Sequence, residues 1–176
     1  MQQELFAQSP PRTLVEAPTA RPQRPYRVPI YTVALVREAA ITHPRPQLRT
    51  SQDAAALLRQ FLGAVDREHF VVVLLDRKHK LIGINTVSIG SLTASVVHPR
   101  ELMKPAILSN AAAILCGHNH PSGDPQPSQE DRTLTQRLVE AGTLLGIQVL
   151  DHVIVGDGTA AFFSFADNHC LTPKEE

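Results

Sequence analysis

Between His118 and Asp131 the chain reads HNHPSGDPQPSQED, which puts two imidazoles, a serine and a carboxylate at close spacing. In extended chain, residues i and i+2 point to the same side, so His118 and His120 can aim both rings at one point. Pro121, Gly123, Pro125 and Pro127 then turn the chain back. Asp131 falls in the first turn of the helix that follows, where its carboxylate can meet the same point. Two nitrogens and one oxygen make three ligands. A zinc ion held by three protein ligands keeps its fourth tetrahedral position for water, as in a catalytic rather than a structural site. Manganese and iron accept the same ligand types. A plainer reading is also open. Ser128 and Asp131 have the Ser-x-x-acid spacing of a capping box, and Pro127 suits a helix entrance. A His-x-His pair alone is weak evidence for a metal. The weight rests on the full spacing and on its place between a buried strand and a helix, where α/β sites form.

These side chains need elements to hold them. SQDAAALLRQFLGAV (Ser51 to Val65) predicts a helix that Ser51 can cap, with Leu57, Leu58, Phe61, Leu62 and Val65 on one face. HFVVVLLD (His69 to Asp76) is a continuous apolar run, hence a strand buried on both faces. RKHK turns the chain, and LIGINTVSIGS returns as its partner strand. SVVHPRELMKPAILSN predicts a short extended piece and then a helix opened by Pro99, which Pro105 should kink or weaken. AAAILCG (Ala111 to Gly117) predicts a short buried strand with His118 at its end. Ser128 to Gly146 predicts a helix with Leu134, Leu138, Ala141 and Leu145 on one face and Gly146 as its stop. IQVLDHVIVG and TAAFFSF predict two more strands, and VPIYTVALVRE (Val28 to Glu38) predicts another near the start. Strands and helices mix without strict alternation, so the expected class is α/β (α+β), a mixed β-sheet flanked by helices. Residues 1–25 hold prolines at 10, 11, 18, 22 and 25 and read as a disordered Pro-rich leader. The folded domain is expected over 26–169, with a tail at 170–176.

Composition narrows the function classes. The chain has 176 residues, and 17 Lys plus Arg balance 17 Asp plus Glu, which argues against a strongly basic nucleic-acid binder. Cys116 and Cys170 form no disulfide framework, and Cys116 reads as a buried small hydrophobe. No signal-peptide pattern and no membrane-spanning apolar run is read, so the expected location is the cytoplasm.

The spacing His118-x-His120, seven residues, Ser128, two residues, Asp131 resembles the JAMM motif of JAB/MPN metalloproteases. The details HNHPSGDP and PSQED, with VVHPRE upstream and LDHVIVG downstream, resemble the RadC family specifically, over roughly Tyr26 to Ala166. The resemblance implies the MPN/JAB (cytidine-deaminase-like) fold, a Zn²⁺ site, and hydrolysis of a peptide or isopeptide bond in a peptide or protein substrate. Longer RadC proteins carry a helix-hairpin-helix-like DNA-binding region before this domain. Here a Pro-rich leader is read in that place, so the resemblance does not by itself imply that region's DNA role for this chain.

Zinc lowers the pKa of a bound water to about 7, and a general base must still accept the proton. The family places a glutamate at the beginning of an earlier strand, and the matching residue is Glu68. Glu101 in HPRE is the rival, although the helix dipole alone explains an acid there. Ser128 could cap its helix or donate to the developing oxyanion, and the family favours the oxyanion. His152 could stand behind the ligands, and Asp151 could orient a ligand histidine through its far nitrogen. Asn119 should point away from both neighbours in a structural role.

Two other functions compete with the hydrolase. One is a RadC-like DNA repair or recombination factor that binds nucleic acid, possible contacts being Arg12, Arg21, Arg24 and Arg27. A metal-dependent nuclease lies between. The other is a scaffold whose metal is only structural, which would need a fourth protein ligand.

Overall fold

HFVVVLL, the run from His69 to Leu75, forms β1 near the middle of a five-stranded sheet. The structure is a computed structural model that describes residues 27–63, 65–90 and 97–171. β1 runs antiparallel to β2 (Leu81–Ile89) on one side and to β3 (Ala113–His120) on the other. β4 (Gln148–Gly156) is parallel to β3, and β5 (Phe162–Ser164) is antiparallel to β4. The order is β2-β1-β3-β4-β5, a mixed sheet as expected.

Strand alternation divides the core. Phe70, Val72 and Leu74 of β1 join Ile114 and Cys116 of β3 on one face. That face packs under α2 (Pro99–Leu108) and α3 (Gln129–Leu145), which contribute Leu102, Met103, Ala106 and Leu138. Val71, Val73 and Leu75 join Leu115, Val153 and Val155 on the other, under Ala54, Leu57, Leu58 and Leu62 of α1 (Ser51–Leu62). A strand covered on both faces keeps only apolar side chains inside, which is why β1 is so legible.

The helices differ from expectation in detail. Thr50, not Ser51, caps α1: its hydroxyl accepts the Asp53 N–H at 3.1 Å. The Ser51 hydroxyl instead donates to the Asp167 carboxylate. Gly63, at φ +58°, ends the helix before Val65. α2 begins at Pro99 and continues past Pro105 to Leu108, with Pro105 buried against the core. α3 has the expected ends, Ser128 and Gly146, and Leu134, Leu138 and Ala141 pack on the core as expected, while its fully buried residues also include Asp131, Thr135 and Gly142. Leu145 is 46% exposed. The burial of Gly142, Asp131 and Thr135 has two causes. Gly142 sits so near the chain beyond the helix that a Cβ there would strike the Ile147 carbonyl oxygen. At the other end, two polar residues are drawn inward by the site described below.

Val28 to Glu38 is not a strand. Ile30 is 97% and Val36 82% exposed. High β propensity makes a strand only where a ladder partner exists, and the five paired strands are complete without this segment. β3 is longer than expected and carries both histidines inside the strand. The leader lies outside the described residues. No helix among the described residues is long and apolar enough to cross a membrane.

Candidate metal centre

His118 and His120 share the face of β3 that α3 covers, and the helix delivers Asp131 from its first turn. His118 Nε2 lies 3.0 Å from His120 Nε2 and 3.3 Å from Asp131 Oδ1, and His120 Nε2 lies 3.6 Å from Asp131 Oδ2. Tetrahedral bonds of ~2.0–2.1 Å place ligand atoms about 3.3 Å apart, so the spacing suits a zinc-sized ion. The donor chemistry agrees. His120 Nδ1 stands 2.8 Å from the Asp124 carbonyl oxygen, which can only accept. Nδ1 therefore carries a hydrogen, and in the neutral ring that a metal requires Nε2 is left with its lone pair towards the cluster. Of the described residues, His118, His120 and Asp131 form the group able to hold a metal ion.

The electrostatics follow from burial and pairing. Complete burial pushes the His118 pKa well below that of free imidazole, and neighbouring His152 adds to the shift. Its contact with Asp131 raises the His120 pKa against a smaller opposing effect of burial. Burial alone would raise the Asp131 pKa. Bonds from His120 and from Ser128 outweigh it and hold this carboxyl well below the usual range.

The two readings of Ser128 and Asp131 coexist. The Ser128 hydroxyl accepts the Asp131 N–H at 3.1 Å, and Asp131 Oδ2 accepts the Ser128 N–H at 2.8 Å, a complete capping box. Asp131 Oδ1 remains free to face His118. A carboxylate has two oxygens, so one residue both closes the helix and faces the cluster. The Ser128 hydroxyl hydrogen is directed at Asp131 Oδ2, 2.7 Å away.

Glu68 and Glu101 stand in different surroundings. Glu68 is partly buried just before β1, and burial first, then the charge of Asp131, raises its pKa, with His120 opposing. Glu101 lies on the outer side of α2, its side chain 44% exposed, where Lys104 and Arg100 lower its pKa. Asn119, between the two histidines, points to the opposite face and is fully buried. It accepts the His69 N–H at 2.8 Å and donates to the Arg67 carbonyl at 3.1 Å and to Asp157 at 3.0 Å. It thereby fixes the backbone on both sides of Glu68, a role that a single residue name does not reveal.

Behind the ligands, His152 Nε2 is 2.9 Å from His118 Nδ1, and His152 Nδ1 is 2.6 Å from the Thr135 hydroxyl. Phe70 stacks on His118 at 5.5 Å and Phe165 on His152 at 4.9 Å, which limits how either ring can turn. Asp151 does not orient a ligand. It accepts from Ser164, Ala166 N–H and His152 N–H. A register shift between β3 and β4 falls just before Leu115 and Asp151, so the alternation could not be counted through it. Thr135 went unnoticed in the sequence, although its i+4 relation to Asp131 places both on one helix face.

Comparison with known proteins comes to the same place. The family model described as RadC-like JAB domain matches residues 48–170. The UPF0758 protein of Moorella thermoacetica is 54% identical over 122 residues, covering 69% of this chain and 53% of that protein. The corresponding protein of Rubrobacter xylanophilus is 50% identical over 127 residues, 72% of this chain and 55% of that one. That of Caldanaerobacter subterraneus is 57% identical over 107 residues, 61% and 46% respectively. The chain spans about half the length of the curated relatives it matches. With its mixed sheet, the three helices among its described residues and a match over well more than half its length, the chain belongs to the RadC-like JAB domain family.

Proposed function

We propose that this chain is a zinc-dependent hydrolase of the JAMM type, cleaving a peptide or isopeptide bond with an activated water. The observation that carries this reading is the convergence of His118 Nε2, His120 Nε2 and an Asp131 carboxylate oxygen within 4.8 Å of one another. Zinc bound there would supply Lewis acidity and lower the pKa of water to about 7.

The remaining chemistry belongs to the chain. Glu68 accepts the water's proton and passes it to the leaving nitrogen. Its raised pKa supports this role, because a general base works best when its pKa approaches the operating pH. Ser128 donates to the oxyanion. Its cap uses a hydroxyl lone pair and the oxyanion needs the hydroxyl hydrogen, so only the bond to Asp131 Oδ2 must be given up. Such a donor contributes roughly 3 kcal/mol to the transition state.

Metal content of the purified chain tests the reading. About one zinc per chain is expected, lost when His118→Ala and His120→Ala are combined. Glu68→Gln should retain the metal and lose turnover on a panel of peptide and isopeptide substrates. Wild-type protein that stays metal-free after reloading with zinc would overturn the proposal. Wild-type turnover by Glu68→Gln would remove Glu68 from its role. The rival is a DNA-associated factor. The balance of 17 basic and 17 acidic residues supports the hydrolase over a phosphate-driven contact. DNA binding that weakens steeply between ~50 and ~200 mM salt would favour the rival.

A further inference from the structure

The hydrogen bonds behind His118 form a chain with a direction. The Thr135 hydroxyl oxygen lies 2.6 Å from the Asp131 backbone carbonyl oxygen and 2.6 Å from His152 Nδ1. A carbonyl oxygen cannot donate, so the single hydroxyl hydrogen of Thr135 goes to Asp131. The second contact must then be donated by the ring, which puts the His152 hydrogen on Nδ1. In a neutral imidazole the other nitrogen is bare. His152 Nε2 can therefore only accept, and what it accepts at 2.9 Å is the hydrogen on His118 Nδ1. This leaves His118 Nε2 without a hydrogen, facing His120 and Asp131.

We infer that Thr135 and His152 are positioning residues, a relay that fixes His118 in the Nδ1–H tautomer so that its Nε2 lone pair faces the cluster. The inference rests on the metal reading of that site for its purpose, though not for its geometry. Metal-bound histidines ordinarily donate their second N–H to a carboxylate, a carbonyl or water. His120 does so, through Asp124. His118 is too deep for water, and the partner it meets is a second imidazole with no fixed polarity of its own. The threonine hydroxyl supplies that polarity, because its one hydrogen is committed to a backbone carbonyl. Both rings and Thr135 are at most 1% exposed, so no solvent can exchange the roles. The relay also links two ligands, since it starts from the backbone of Asp131 and ends on the ring of His118.

The test is a long-range ¹H–¹⁵N spectrum of the histidine rings in the metal-free protein near neutral pH, joined to a zinc competition titration. Wild type should show His118 and His152 each protonated on Nδ1 alone. Thr135→Val keeps the shape of the side chain and removes the hydroxyl. It should leave His118 in a mixture of tautomers and weaken zinc binding by about 10- to 100-fold. Thr135→Ser should restore both. A packing role would not move the tautomer and would be satisfied by valine. His118 protonated on Nε2 in the wild type would overturn the relay. So would folded Thr135→Val binding zinc with wild-type affinity. A wild-type chain that shows the Nδ1–H tautomer but binds no zinc would sink the metal reading and support the relay.

Discussion

Glu68 is costly to keep where it is. A partly buried carboxyl beside Asp131 resists ionisation, so its folded pKa lies above its unfolded value. The folded state then holds its proton to higher pH than the unfolded state, and stability is lost as pH rises from the ordinary carboxyl value through the raised one. Metal-free Glu68→Gln should therefore melt a few degrees higher than wild type at neutral pH, with the difference vanishing in acid. Thermal denaturation across that range measures it. Equal melting temperatures at neutral pH would mean that Glu68 is solvated. At this scale the sequence was informative where chemistry is local. His118, His120, Ser128 and Asp131 could be read from spacing because strand and helix periodicity alone bring them together. Glu68 was found through the family resemblance, since nothing in the spacing links residues fifty apart. His152 could be read as standing behind the ligands, and its partner Thr135 was missed because nothing in the sequence links that hydroxyl to β4.

At the scale of elements, α1 packs closely on β3 beneath the site. Gly117 precedes His118, and a Cβ on it would stand 2.5 Å from both Leu58 methyl groups. Gly117→Ala should cost roughly 1–3 kcal/mol through overpacking. Leu58→Ala alone leaves a cavity and costs ~2–5 kcal/mol. Because the added methyl occupies space that the leucine vacates, the double variant should cost less than the sum. Urea denaturation of the three proteins reads the coupling, and strict additivity would show that the helix yields without strain. The long elements were legible because periodicity, caps and glycine stops agree, as in β1 and α3. Val28 to Glu38 failed because a strand is a property of two segments and the sequence shows one. On α3 the expected stripe holds for Leu134, Leu138 and Ala141, which pack on the core, and fails only at Leu145; the inward turn of Asp131 and Thr135 was not legible because the site, rather than hydrophobicity, draws them in.

For the whole molecule, the site ties β3 to α3 directly and to β4 through His152. An ion bound there should stabilise the fold. Free zinc at a hundred times its dissociation constant contributes about 2.7 kcal/mol, which for a chain of this size raises the melting temperature by about 5–10 °C. Melting with zinc and with chelator measures the effect. The His118→Ala, His120→Ala double variant should show none, and an equal rise in that variant would locate the ion elsewhere. The spacing of the site along the chain has a further consequence, in the order of events. The ligands lie thirteen residues apart, whereas Glu68 is fifty residues from His118. Closing the short loop costs less entropy than closing the long one. During refolding the ion can be captured by β3 and α3 before β1 docks and before Asn119 fixes the backbone around Glu68. In the hydrolase reading, the ion site and its base belong to different closures of the chain, so an opening that parts β1 from β3 would separate Glu68 from the ligands and leave the opened chain without its base.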